Sequence, residues 1–516
     1  MPSGKNFLSF RRDWSLRYVV FWLAPILALS IALFAHLDPK NPAVTYTLAV
    51  AVLMALWWVS EVVPLAVTSM LPIVLFPVLG IMNGKAVSGT YFNHVIFLFI
   101  GGFLVALALQ KWNLHKRMAL WILNLIGTGP ARILFGFMFA TAFLSMWISN
   151  TATAMMMVPI LLSIIVELEE KNGVEKVKHF STGLLLSIAY GASVGGLATL
   201  VGTPPNLSFA RIFNIYFPDA PEISFSTWFF YAFPISVLMF LVAFGFLYFV
   251  FVRKDKANIQ LDKHQISNQL AGLGPMKYEE KVLLTAFIGL ALLWFFRSNI
   301  NLGFLTIPGW SNLFAHPKYL NDGTVAILVS TLLFLIPTKE RAGEFIMDWK
   351  TAEAIPWEII LLFGGGFALA SGFKQSGLST WFGEQLAWIG VLHPILIILI
   401  IAAVVTFLTE VTSNTATVEA FLPILAGLAI STKINPLLFM LPATIAGSLA
   451  FMLPVATPPN AIVFGTKRLS MLDLAKSGFW LNLAGIIIVT IITYYLGTYV
   501  FGIDAGVFPD WAGKNK

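Results

Sequence analysis

Apolar runs of bilayer-spanning length recur from one end of this chain to the other, and they leave few folds open. A bilayer core of about 30 Å takes roughly 20 apolar residues to cross as a helix. Runs that reach this length with their flanks include Tyr18–Ala35, Ile96–Leu109, Trp228–Val252 and Gly485–Val500. Inside lipid every backbone N–H and C=O needs a partner within the protein, so such runs fold as helices. Of 516 residues, 58% are hydrophobic and 11% charged, against roughly 25% charged in a soluble domain. Mean hydropathy is +0.83. The chain reads as an all-α polytopic membrane protein.

The net charge of +7 does not indicate nucleic acid, because Lys and Arg sit between apolar spans, where orientation explains them. Lys5, Arg11, Arg12 and Arg17 precede the first long run. A cleavable signal has a shorter apolar core and a small-residue cleavage site, so Tyr18–Ala35 reads as an uncleaved first helix. Basic residues then cluster at 111–117, 171–178, 253–263, 339–350 and 467–468, whereas 36–43, 214–226 and 375–393 are poor in them. With the basic clusters inside, counting gives about eleven crossings of the cell (inner) membrane, N-terminus cytoplasmic and C-terminus outside. Two segments, near 130–168 and 394–428, are polar in their middles and return to the side they left, as re-entrant hairpins do. There are no cysteines, which removes disulfides, thiol nucleophiles and Cys-based metal sites.

The polar middles are copies of each other. Residues 148–160 read ISNTATAMMMVPI and residues 413–424 read SNTATVEAFLPI. Ser149 and Ser413 are 264 residues apart (413 − 149), and the same offset takes Gly102-Phe103 to Gly366-Phe367. Further on, VGTPPN at 201–206 echoes VATPPN at 455–460, with an offset of 254. The difference of ten residues (264 − 254) is assigned to a longer loop at 167–179 in the first half. Two halves joined near 253–281 follow, each with about five crossings, so the second is expected inverted. Inverted repeats are a transporter design, with substrate near the midplane at their interface.

The repeated residues carry chemistry. Ser, Asn and Thr cap helix N-termini through side-chain oxygens, and a helix N-terminus has donors and partial positive charge that suit a carboxylate. The oxygens of the same turn suit sodium, so one small loop can hold an anion and its counter-cation. Paired prolines within an apolar helix remove two donors and free carbonyls in the preceding turn. Discontinuous helices of this kind hold ions and substrate in transporters.

Paired SNT motifs, each followed by a TPPN-like break, resemble the divalent anion/sodium symporter (DASS) family, the INDY-type dicarboxylate carriers, over nearly the whole chain. The resemblance implies one sodium near Ser145, Ser149, Asn150 and Gly202, and another near Thr409, Thr412, Asn414 and Ala456. Ser145 and Thr409 are themselves related by the 264 offset. It implies substrate carboxylates at Asn150, Thr151, Asn414 and Thr415, with Thr203, Pro204, Thr457 and Pro458 lining the pocket. It further implies a homodimer with scaffold helices at 1–128 and 281–392. Elevator-type transport-domain parts would occupy 129–252 and 393–516, joined by a cytoplasmic linker at 253–280. The activity implied is sodium-coupled import of C4-dicarboxylates (succinate, malate, fumarate). A sodium-independent dicarboxylate exchanger, or a citrate or sulfate carrier, is the same-class alternative. The linker is too short for the soluble insert that sulfate-type relatives often carry.

No Lys or Arg lies in these motifs, so sodium and helix N-termini are expected to compensate the substrate charge. Glu410, beside the second SNT, has Met146 as its counterpart at the 264 offset and reads as a structural partner. Glu61 is expected at a helix break near the interface, and Lys374 to snorkel to the surface. The seven histidines are scattered, and no GxGxxG, HExxH or paired catalytic carboxylates occur, so nothing points to an enzyme. A channel fits an inverted repeat poorly.

Overall fold

The computed structural model describes residues 6–127, 129–253, 265–301, 305–504 and 506–513. Lys5, Lys254, Lys256, Lys263 and His264, with the side chains of Arg11, Arg12 and Arg17, lie outside the described residues. Helices make up most of it. The first group is α1 (Asn6–Phe34), α2 (Pro42–Ser60), α3 (Leu65–Ser69), α4 (Leu71–Val78), α5 (Gly84–Thr90), α6 (His94–Lys111) and α7 (Leu114–Ile126). There follow α8 (Pro130–Ser145), α9 (Asn150–Asn172), α10 (Val174–Leu197), α11 (Pro204–Tyr216) and α12 (Phe225–Leu247). The second half brings α13 (Gln265–Gly272), α14 (Tyr278–Phe295), α15 (Asp322–Leu333), α16 (Trp349–Ala352), α17 (Trp357–Ser376) and α18 (Leu378–Gln385). It ends with α19 (Pro394–Thr409), α20 (Asn414–Thr432), α21 (Leu437–Ala446), α22 (Pro458–Gly465), α23 (Met471–Phe501) and α24 (Asp510–Gly513). A two-stranded ribbon, Ile300–Asn301 against Thr306–Ile307, lies between α14 and α15.

Eight helical stretches among the described residues are long and apolar enough to cross a membrane. Their faces are two-sided. On α23, Ile487, Ile491, Tyr495 and Tyr499, four residues apart, are exposed, while Leu481, Val489, Thr493 and Gly497 are buried. An exposed face of large apolar side chains marks contact with a membrane or with another protein. In contrast α10 is enclosed, packed by α8, α9, α12 and α22. Its glycines permit this: a Cβ on Gly195 would stand 2.1 Å from the Ala142 carbonyl oxygen, and one on Gly191 would stand 2.8 Å from that of Met138.

The longer first half is not a longer loop. Gly173 alone separates α9 from α10, with the positive φ of 88° that glycine adopts without strain. The added length is helix, since α10 has 24 residues and α21 has 10.

Charged residues tie the helix ends. Lys111 donates to Asp348 at 2.5 Å, and this holds the Asp348 carboxyl below the usual carboxylate range. That tie is present at neutral pH and is lost as pH falls through the lowered value. Arg297 bridges Asp322 (2.5 Å) and Glu222 (2.6 Å), while Asp322 also accepts from the backbone N–H of Phe225 at the start of α12. Lys374 does not snorkel. Its ammonium donates to the carbonyls of Ile215 (2.6 Å) and Tyr216 (3.3 Å) at the C-terminal end of α11, where the helix dipole favours a cation.

Arg117 on α7 forks onto Glu280 at 2.7 and 3.1 Å and also donates to the carbonyls of Leu273 and Gly274. Both charged side chains are only 5% exposed. Replacing Arg117 by Ala strands the Glu280 charge, a loss of about 3–5 kcal/mol for a buried pair. A thermal melt of the detergent-purified protein should fall by several degrees in Arg117→Ala. An unchanged midpoint would contradict this account of the α7–α14 junction.

Candidate functional site

Both SNT motifs lie where one helix stops and the next begins. Ser145 ends α8 and Asn150 begins α9, and Thr409 ends α19 and Asn414 begins α20. Ser149 caps α9 by accepting from the Ala152 N–H at 3.3 Å. Ser413 occupies the same position before α20, but its side chain makes no cap bond. The expected capping role is therefore realised in one tip only.

The two tips share a hydrogen-bond pattern. Ser145 Oγ meets Asn150 Oδ1 at 2.5 Å and the Ala192 carbonyl at 2.8 Å. Thr409 Oγ1 meets Asn414 Oδ1 at 2.7 Å and the Gly447 carbonyl at 3.0 Å. At the first tip the Asn150 amide faces three oxygens, those of Ser145, Ala192 and Gly202. With the amide turned over, its two N–H groups face these three oxygens, the nitrogen at 2.5, 3.2 and 3.2 Å. Gly196 closes this cluster, since a Cβ there would stand 2.5 Å from the nearer atom of the Asn150 amide. Turned the other way, the amide oxygen joins the other three in an oxygen-rich pocket that suits a hard cation. Thr412 is bonded elsewhere, its hydroxyl meeting Thr417 Oγ1 (2.5 Å) and the Leu408 carbonyl (2.9 Å).

The TPPN breaks differ from the expectation of helix-interior prolines. Pro204-Pro205 and Pro458-Pro459 stand at the first positions of α11 and α22, after extended Thr203 and Thr457. A helix start has no N–H bond to lose, so the prolines initiate these helices and break no ladder. The carbonyls left at the end of the preceding segment are taken by the motif's asparagine. Asn206 Nδ2 donates to Gly196, Leu197 and Thr199 (3.3, 3.3 and 2.8 Å), and Asn460 Nδ2 to Ala450 and Leu453 (3.1 Å each). Both asparagines are fully buried. Sequence reasoning quoted them but gave them no role. The repeated N in TPPN was the available signal.

Tip and break are joined in each half. Thr199 Oγ1 donates to the Met146 carbonyl at 2.5 Å and accepts from the Gly202 N–H at 3.0 Å. In the second half Glu410 does this work with its carboxylate. It accepts from the backbone N–H groups of Phe451, Met452 and Leu453 at 2.8–3.1 Å and from Asn482 at 2.7 Å. Glu410 is thus the structural partner its lack of a twin indicated.

All four elements open onto one cavity of about 490 Å³. Ser149, Asn150, Thr151, Gly202, Thr203 and Pro204 line it from the first half, and Ser413, Asn414, Thr415, Ala456, Thr457 and Pro458 from the second. The other sequence-derived site residues, Ser145, Thr409 and Thr412, lie behind this wall, and the first two touch the tip asparagines. The N-termini of α9, α11, α20 and α22 therefore converge, and each brings partial positive charge and free donors. Phe99, Phe103 and Leu362 complete the wall. Glu61, left-handed at the end of α2 with φ 47°, is the single charged residue of the described lining. It sits at the expected helix break, but at the cavity. A separate cavity of about 640 Å³ lies toward the start of α6 and the end of α11, at His94, Asn214, Asp219 and Lys318, and includes none of the motif residues.

Comparisons with known proteins place the chain among membrane transporters. A sodium-dependent dicarboxylate transporter, SdcS, of Staphylococcus saprophyticus is 42% identical over 487 residues, 93% of this chain and 92% of that protein. The SdcS of Staphylococcus aureus (strain MRSA252) is 44% identical, covering 93% of this chain and 91% of that protein. Among solved structures, the YdaH transporter of Alcanivorax borkumensis has a similar fold (TM-score 0.55, 15% identity, 80% of this chain and 88% of that one). So does MtrF of Neisseria gonorrhoeae (TM-score 0.53, 15% identity, 85% and 86%). The model of the sodium:sulfate symporter transmembrane region matches residues 12–503, and the chain belongs to that family of multi-pass membrane transporters.

Proposed function

We propose that this protein imports C4-dicarboxylates such as succinate, malate and fumarate together with sodium. The observation that carries the reading is the convergence of four helix N-termini and two asparagine-tipped turns on a cavity without Lys or Arg. Four sets of N–H donors and partial positive ends suit two carboxylate groups, one toward each tip. They do not neutralise a dianion alone, and Glu61 adds a negative charge. Sodium at the oxygen clusters supplies the remainder. In the first cluster Ser145, Asn150 and Gly202 would hold it, with Ser149 at the same turn. In the second, Thr409 and Asn414 would do so, with Thr412 and Ala456 beside them. Thr151, Thr203, Pro204, Thr415, Thr457 and Pro458 would face the substrate. Both SdcS relatives carry sodium dependence and dicarboxylate in their names, which favours this substrate over sulfate.

The transport domain in this reading comprises 129–252 and 393–516, held by scaffold helices 1–128 and 281–392 through the linker 253–280. Its elevator-like movement would expose the cavity alternately on each side, and a homodimer of scaffolds would anchor it. With the basic clusters cytoplasmic, the N-terminus would lie on the cytoplasmic side of the cell membrane. In that orientation the cytoplasmic ends of α2 and α17 contribute Glu61, Ile359 and Leu362 to the cavity wall.

Labelled succinate uptake into proteoliposomes should require an inward sodium gradient, carry net charge, and fall at least tenfold, about 1.4 kcal/mol, in Asn150→Ala and in Asn414→Ala. Uptake indifferent to sodium but dependent on internal succinate would make the protein an exchanger. Uptake of citrate or sulfate in place of succinate would overturn the substrate.

Gly196→Ala should also abolish sodium-driven uptake while the protein still elutes as a single folded species, because the new methyl takes the place of the Asn150 amide. Full activity in Gly196→Ala would remove the first oxygen cluster from the mechanism.

A further inference from the structure

Glu419 lies one turn beyond the second tip, on α20, and has no part in the cavity. It is completely buried. Ser208 on α11 donates to its Oε1 at 2.8 Å, and Oε2 has no hydrogen-bond partner. The third side is α17, whose Gly366 backbone comes so close that a Cβ there would stand 2.2 Å from Oε2. The same glycine run admits Ser69 at Gly365 and Tyr91 at Gly364, so this is a tightly closed seam.

The contrast with Glu410 shows what the site requires. Glu410 has backbone N–H groups and an amide on both oxygens, an environment that holds an anion. Glu419 has one hydroxyl. An uncompensated carboxylate in a dry interior costs several kcal/mol, and intramembrane acids without a partner are characteristically functional. Charged and titratable groups on the packed elements are engaged or distant. On α11, Arg211 donates to Asn214 and Tyr216 to the Ala370 carbonyl. On α17, Lys374 is held by α11 carbonyls and Glu358 lies in the first turn. Glu384 on α18, Tyr46 on α2 and Glu410 after α19 make no bond to Glu419 among the described residues, and α21 carries no titratable side chain.

We infer that Glu419 is a proton-binding site, a neutral carboxylic acid that keeps its proton while α17 is closed over α11 and α20. The 264 offset places Met155 at its counterpart position, so this proton belongs to one half only and is separate from the twinned sodium clusters. A movement that parts α17 from α20 admits water. Water then accepts the proton, leaving the carboxylate, and closure takes a proton back. This exchange step rests on the elevator reading, whereas the bound proton does not.

Infrared spectra of the purified full-length protein in lipid test the site. The C=O stretch of a protonated carboxylic acid should be present in the wild type at neutral pH and lost in Glu419→Gln, which keeps the acceptor for Ser208. Ser208→Ala should shift that band without removing it, which also serves if Glu419→Gln does not fold. Identical protonated-acid absorption in wild type and Glu419→Gln, or a band indifferent to Ser208→Ala, overturns the inference. Succinate uptake by wild type and Glu419→Gln should diverge at alkaline pH, where only the wild type can ionise. Superimposable profiles with the band intact would overturn the exchange step. Failure of all uptake with the band intact would instead count against the proposed transport.

Discussion

Backbone polar groups at membrane depth must be satisfied within the protein, and the arrangement of this molecule follows from where that rule is met and where it is put to use. Four helices begin in the interior: α9, α11, α20 and α22. Their first N–H groups have no carbonyl one turn back. Each is preceded by a break whose orphan carbonyls need donors. Asn206 and Asn460 supply those donors before α11 and α22, and Thr199 donates to the Met146 carbonyl before α9; the cavity receives N–H groups and positive dipole ends. In the proposed reading, four such ends brought together serve as an anion site without a basic side chain.

Close backbone approach makes the convergence possible. Gly195 and Gly196 let α10 lie against α8 and the Asn150 tip, and Gly202 lets the break fold back until a Cβ would be 2.5 Å from the Gly196 oxygen. On the opposite side, Gly364, Gly365 and Gly366 bring α17 against Tyr91, Ser69 and Glu419. Gly195 and Gly202 set backbone against backbone, and Gly196, Gly364 and Gly366 set backbone against a side chain, with no room for a methyl at any of them. At Gly196 and Gly202 this keeps the first oxygen cluster small, as the proposed sodium site requires.

Much of this was legible in the sequence. Apolar runs give the helices, and the offsets of 264 and 254 pair the tips and the breaks. The tip residues Asn150 and Asn414 and the break residues Thr203 and Thr457 meet in one cavity, as their pairing indicated. Other features depend on tertiary packing. Gly173 looked like part of a loop because helix content on either side is polar at 167–179, yet one glycine suffices to join two helices. Lys374 was expected at the surface because nothing in its own helix shows that the end of α11 passes beside it. The role of the prolines turned on whether each pair interrupts a helix or starts one, and only the extended Thr before them decides this. Glu419 gave no repeat signal, because Met155 holds its position in the first half.

The central claim is that sodium supplies the charge that the cavity lacks. Equilibrium binding of labelled succinate to the purified protein over a sodium series tests it without transport. The account predicts that affinity falls steeply as sodium is replaced by choline, and that succinate tightens sodium binding by the same factor. Succinate binding of equal affinity with and without sodium would contradict it, and the helix N-termini alone would then have to carry the dianion.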